Sequence, residues 1–161
     1  MSIEAPEALV VALITILINF CIQFFFKWWD KRTNGISIQN AIVAEVVALK
    51  NIISERNYQE AIRSIIKFLE ENPNKKMLLS VDVQLDVFPV YSSNLDKIGQ
   101  LDPKLSPKIV TFYALLSSII QDVKMGGLLN NTEHSNLESY KNIDSLLDKA
   151  ISIADTIITF K

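Results

Sequence analysis

Residues 8–26 read ALVVALITILINFCIQFFF, 19 positions without one charged side chain. A helix rises about 1.5 Å per residue, so crossing a hydrocarbon core of about 30 Å takes roughly 20 mainly apolar residues. The stretch meets that requirement. It is followed by Lys27, Trp28, Trp29, Asp30, Lys31 and Arg32. Tryptophan rings settle at the headgroup level and the neighbouring cations favour the cytoplasmic leaflet, which makes Lys27, Trp28, Trp29, Lys31 and Arg32 an interfacial anchor. Before the stretch the only charged side chains are Glu4 and Glu7, so the positive-inside bias places the amino terminus outside and the rest of the chain in the cytoplasm. A cleaved secretory signal has a basic start, a shorter apolar core and a small-x-small cleavage site, none of which is present. The expectation is a single-pass membrane protein in contact with the lipid bilayer.

Two amides interrupt the apolar run. Asn19 and Gln23 are four residues apart and share one helix face. The Leu, Ile, Val and Phe residues of the stretch contribute about −0.3 to −0.6 kcal/mol each to insertion, which outweighs two amides. An amide in lipid gains about 0.6 to 2 kcal/mol from a partner across a helix pair. Two readings stand: this face drives association into a homo-oligomer, or both residues are merely tolerated. Cys21, the only cysteine, lies in the same stretch and has no disulfide partner within the chain.

The tail, span and flank take residues 1–32, and residues 33–161 have the length of one compact domain. The whole chain carries a net charge of −2 at pH 7, and residues 33–161 carry the same −2. That balance argues against an extended nucleic-acid surface, which needs a footprint rich in lysine and arginine. A single histidine and a single cysteine cannot build a thiolate or imidazole metal site. Gly35, Gly99, Gly126 and Gly127 form no phosphate-binding loop. No catalytic residues, no cofactor and no metal are expected.

Within 33–161 the apolar spacing is helical. Thr33, Asn34 and Gly35 are expected to end the membrane helix, because asparagine and glycine tolerate the left-handed conformation found at helix ends. Ile38, Ile42, Val46, Leu49 and Ile53 then recur at intervals of three and four, predicting a separate amphipathic helix. Asn57 and Glu60 resemble a capping pair for a helix carrying Ala61, Ile62, Ile65, Ile66 and Leu69, closed at Asn72 and Pro73. From Leu79 to Val87 apolar and polar residues alternate. Two readings are open for that segment: an extended connector, or an edge strand that pairs between subunits. A short helix is expected around Val90 to Ile98, closed by Gly99. Asp102-Pro103 and Ser106-Pro107 mark a helix start, followed by a stripe of Ile109, Phe112, Tyr113, Leu116, Ile119, Ile120 and Val123 ending at Gly126-Gly127. Ser135 and Glu138 form a second capping pattern, and the last helix carries Leu137, Tyr140, Leu147, Ala150, Ile151, Ala154, Ile157 and Ile158. The fold class read from this pattern is all-α: one transmembrane helix and a cytosolic bundle of four or five helices.

Tyr91, Leu95, Ile98-Gly99-x-Leu101, Leu105 and Ile109-Val110-x-Phe112-Tyr113 resemble a pattern in small bacterial single-pass membrane proteins of uncharacterised function. These are packing residues, and the resemblance implies a membrane helix before a short helical domain in the bacterial inner membrane. The layout is also similar to small membrane effectors of bacterial antiviral systems, in which a cytosolic domain senses a signal, sometimes a cyclic oligonucleotide, and the membrane part acts.

Few residues offer chemistry. His134 stands beside Glu133 in a polar loop and reads as solvated. Asp82, Asp86 and Asp96 match no calcium loop. Lys75-Lys76 and the pair Lys104 and Lys108 are the candidates for binding a small anion, the second pair because it flanks a predicted helix start. Tyr91, Phe112 and Tyr113 read as core aromatics. The functional expectation is a non-enzymatic, membrane-anchored sensor and effector. Its cytosolic domain binds a protein partner or small anionic ligand, including a signalling nucleotide, and controls assembly of the membrane helices. The alternative is a passive tether or regulatory subunit of a larger complex.

Overall fold

A computed structural model joins the apolar stretch and the first amphipathic stripe in one helix, α1 (Ala5–Glu55), of 51 residues. It describes residues 5–81 and 87–160, with side chains from residue 17 onward except residue 31. At about 1.5 Å per residue α1 is a rod of about 75 Å. The break expected at Thr33, Asn34 and Gly35 does not occur, and the boundary drawn at residue 33 falls inside this helix. A glycine in a helix interior costs about 1 kcal/mol relative to alanine, and tertiary packing readily offsets that. Gly35 is buried, and a Cβ at this position would stand 2.6 Å from the Gln100 carbonyl oxygen. Glycine is needed there to let another segment approach the helix, not to end it. The Thr33 hydroxyl donates to the Trp29 carbonyl at 3.0 Å, keeping the helix closed through the same turn.

The remaining elements are α2 (Tyr58–Glu71), α3 (Pro89–Ser92), a 3-10 turn (Leu95–Gln100), α4 (Ser106–Val123), a second 3-10 turn (Leu128–Asn130) and α5 (Leu137–Ile158). The all-helical class is thus shown, with no strand among the described residues. Asn57 does precede α2, but without a capping side chain: its backbone is left-handed, φ 52° and ψ 34°, and turns the chain from α1 into α2. Asparagine is one of the few residues that enter that conformation at low cost. The expected helix over Val90 to Ile98 is instead two short pieces, α3 and the first 3-10 turn. Asn94, between them, donates its side-chain amide to the Val90 carbonyl. Before α4, Asp102 forms a local turn, its carboxylate accepting the Lys104 N–H at 2.7 Å, and Pro107 occupies the first turn of the helix. At α5 the cap is Asn136, whose side chain accepts the Ser139 N–H at 3.0 Å. Ser135, one residue earlier, is fully buried and donates instead to the Met77 carbonyl, which also receives the Tyr140 hydroxyl.

Of the alternating segment from Leu79 to Val87, residues 82–86, including Asp82 and Asp86, lie outside the described residues. Its start is extended and pairs within the chain. The Leu79 N–H donates to the Leu129 carbonyl, the Val81 N–H donates to that of Val123, and an isolated parallel bridge joins Val81 to Lys124.

The bundle has two apolar centres on the α4–α5 pair. One gathers Ile42 and Val46 of α1, Leu101, Leu105, Ile109, Phe112, Tyr113 and Leu116 around Ala150, Ala154 and Ile157 of α5. The other gathers Ile62 and Leu69 of α2 with Val123, Leu129, Tyr140, Ile143 and Leu147. The stripe predicted over residues 38–53 is therefore real, and its burial is what carries α1 into the bundle.

Candidate functional site

α1 is the one helix among the described residues long and apolar enough to cross a membrane, and only 11% of its most apolar window is buried. From residue 17 to residue 30 every side chain is exposed, including Leu17, Phe20, Phe24, Phe25 and Phe26. Exposing that much large apolar surface to water is costly at about 25 cal/mol per Å², so the segment requires an apolar surrounding. Asn19 and Gln23 are exposed on it, as is the free thiol of Cys21. At the basic end the Arg32 guanidinium lies 5.6 Å from the Trp28 ring, and Trp29 packs on Phe25 with ring centroids 6.0 Å apart. Arg32 and the two tryptophans thus form one amphipathic collar with an apolar and a charged side. Lys27 is exposed beside them.

Past the collar the helix is gripped by the bundle. Gln100 packs its backbone on Gly35, and the Gln39 side-chain oxygen accepts the Asp102 N–H at 3.2 Å. Glu45 accepts three hydrogen bonds: the Val90 N–H at 2.8 Å, the Tyr91 N–H at 3.0 Å and the Tyr113 hydroxyl at 2.6 Å. One carboxylate thereby caps α3 and holds α4 on α1. The Tyr91 ring stacks on Tyr113 with centroids 3.9 Å apart. Burial, reinforced by the bond to Glu45, pushes the Tyr113 hydroxyl far above its ordinary pKa, and burial raises that of Tyr91. The expectation that Phe112 and Tyr113 are core residues holds, and Tyr91 is partly buried against them.

The four lysines singled out in the sequence fall into two separate places. Lys75 and Lys76 border a cleft of about 320 Å³ with Asn136 and Leu137 at the start of α5. The Lys76 ammonium donates to the Thr132 carbonyl at 2.5 Å. Lys104 is exposed before α4, and Lys108 in its first turns lies 5.9 Å from the Phe160 ring. His134 is exposed.

A larger cleft of about 500 Å³ opens where α1 turns into α2, lined by Lys50, Ser54, Asn57, Gln59, Glu60 and Arg63 with Ile53 and Ile151. Its cations are already paired with the acidic face of α5. Lys50 reaches Asp155, and Arg63 lies 3.1 Å from Asp144 and 3.0 Å from Asp148. Hydrogen bonding to Asp144 is the main cause that raises the Arg63 pKa. Gln59 also donates to Asp148. An anion entering here must displace carboxylates.

Gly35 was noticed in the sequence but given the wrong role, while the role of Glu45 and the Asp144, Asp148 and Asp155 face were missed. For Glu45 a signal existed: it stands between Ile42 and Val46, on the edge of the buried stripe, where a carboxylate needs partners. No protein-family model matches the chain, and no curated protein or solved structure is significantly similar to it.

Proposed function

We propose that this chain is a non-enzymatic membrane protein in which a helical domain on the cytoplasmic side governs the association of single membrane spans. The observation that carries the reading is the continuity of α1. An exposed apolar segment and a helix buried to 0% exposure at Ile42 and Val46 belong to one unbroken rod. A rod without a hinge passes any rotation or displacement of the bundle to the span, which a flexible linker would not. The positive flank supports an orientation with the amino terminus outside and the bundle in the cytoplasm of a bacterial inner membrane. Asn19 and Gln23 give the span a polar face for a second copy. The bundle side accepts a protein partner or a small anionic ligand, and a signalling nucleotide of an antiviral response belongs to that class.

Cys21 is a ready probe. Oxidative cross-linking through Cys21 in native membranes reports how closely spans approach, and a Gly-Gly-Ser insertion after Thr33 uncouples span from bundle. The expected result is a several-fold change in cross-linking on insertion, with both proteins resisting alkaline carbonate. Unchanged cross-linking reduces the chain to a passive tether, and release by carbonate removes the membrane reading altogether.

A further inference from the structure

Charge is unevenly distributed over the chain. Lys27, Asp30, Lys31 and Arg32 sum to +2, and residues 94–108, with Asp96, Lys97, Asp102, Lys104 and Lys108, sum to +1. The other side chains of residues 33–161 sum to −3. The 94–108 segment is held near the membrane end of the bundle by the contacts of Gln100 with Gly35 and of Asp102 with Gln39. These α1 positions lie about 13 and 20 Å past Phe26 at about 1.5 Å per residue. Headgroups extend about 5 to 8 Å beyond the hydrocarbon, and screening at physiological salt acts over about 8 Å. Lys104 is exposed at this level, whereas Lys97 donates to the Asn94 side-chain oxygen at 3.4 Å and Lys108 lies over the Phe160 ring. A lysine side chain that swings from this level toward the bilayer comes within electrostatic range of lipid phosphates. Leu95 and Ile36, 57% and 54% exposed, leave large apolar side chains at the same end.

We infer that residues 94–108 form a membrane-apposed face, in which exposed Lys104 rests on anionic headgroups of the leaflet that holds Trp28 and Trp29, Lys97 and Lys108 leave Asn94 and the Phe160 ring to join it, and Leu95 dips toward the interface. The inference rests on the reading of α1 as a span. Asp96 and Asp102 oppose the lysines, with Asp102 engaged by its own turn through the Lys104 N–H. Charge complementarity and continuity with the span both favour a lipid surface over a soluble anion for Lys104 and Lys108. Each lysine within reach multiplies the docked population about fivefold, the equivalent of about 1 kcal/mol.

The test places a nitroxide on a Leu95→Cys, Cys21→Ser full-length protein, reconstituted in phosphatidylcholine vesicles with or without phosphatidylglycerol. Access of a water-soluble nickel chelate to the probe is expected to fall several-fold with the anionic lipid. The triple change Lys97→Gln, Lys104→Gln and Lys108→Gln is expected to restore it, with helicity unchanged by circular dichroism. Equal access in both lipids, in protein that resists carbonate, overturns the docking face and leaves the anchor standing. A fall that survives the triple change overturns the role of the lysines. Extraction by carbonate overturns the anchor, and the docking face with it.

Discussion

Glu45 is the side chain on which most of the local architecture converges, since its two oxygens take hydrogen bonds from α3 and α4 while its backbone belongs to α1. Hydrogen bonds to a charged group contribute about 1.5 to 3 kcal/mol, so Tyr113→Phe is expected to destabilise the full-length protein in detergent by about that amount at neutral pH. The pH dependence has a definite sign. A tyrosine whose pKa is raised by folding stays neutral in the folded state while the unfolded chain ionises near pH 10, so the unfolded state then binds fewer protons. The stability tied to Tyr113 is fully present below about pH 10 and is lost as pH rises further. The deficit of Tyr113→Phe should therefore shrink above about pH 10 in denaturant unfolding followed by circular dichroism. A deficit that stays constant with pH would show that Tyr113 does not titrate out of a neutral, buried state. The burial of Phe112 and Tyr113 was legible in the sequence because helical spacing reports it. The bond from Tyr113 to a carboxylate 68 positions away was not, because spacing carries no information about which helices meet.

Among the elements, α1 shows how a local signal is overruled. Asparagine and glycine at 34 and 35 are weak helix formers, yet the cost of keeping them helical is about 1 to 2 kcal/mol, less than the burial of Ile42 and Val46 supplies. The glycine was legible as special, and its role was not: it makes room for the Gln100 carbonyl. Gly35→Ala is accordingly expected to destabilise by about 1 to 3 kcal/mol, although alanine is the better helix former. A thermal melt decides, since a rise in melting temperature would mean that Gln100 does not pack there. The caps illustrate the same division. Helix starts near residues 57, 106 and 137 were readable to within one or two positions, whereas the residue that caps α5 is Asn136 because burial took Ser135 for the Met77 carbonyl. The acidic residues Asp144, Asp148 and Asp155 of α5 drew no reading from the sequence, and they are the pairing surface for Lys50 of α1 and for Arg63 of α2.

For the molecule as a whole, the exposed apolar stretch of α1 is the feature on which the proposed association rests. Spans that meet through Asn19 and Gln23 should separate when both become leucine: the double change is expected to lower Cys21 cross-linking in membranes several-fold. The corresponding stability per amide pair is about 0.6 to 2 kcal/mol. Cross-linking that persists at the parental level would assign association to the bundle instead. The apolar helix, the all-α class and the stripes of α2, α4 and α5 were determined by the sequence alone, because hydropathy and the 3.6-residue period are properties of consecutive residues. That the apolar segment and the first bundle helix are one rod, that Glu45 fastens it to α3 and α4, and that residues 94–108 pack beside Gly35 and Gln39 were decided only in the tertiary structure. Each depends on energies shared between segments distant in sequence, and no window along the chain contains both partners.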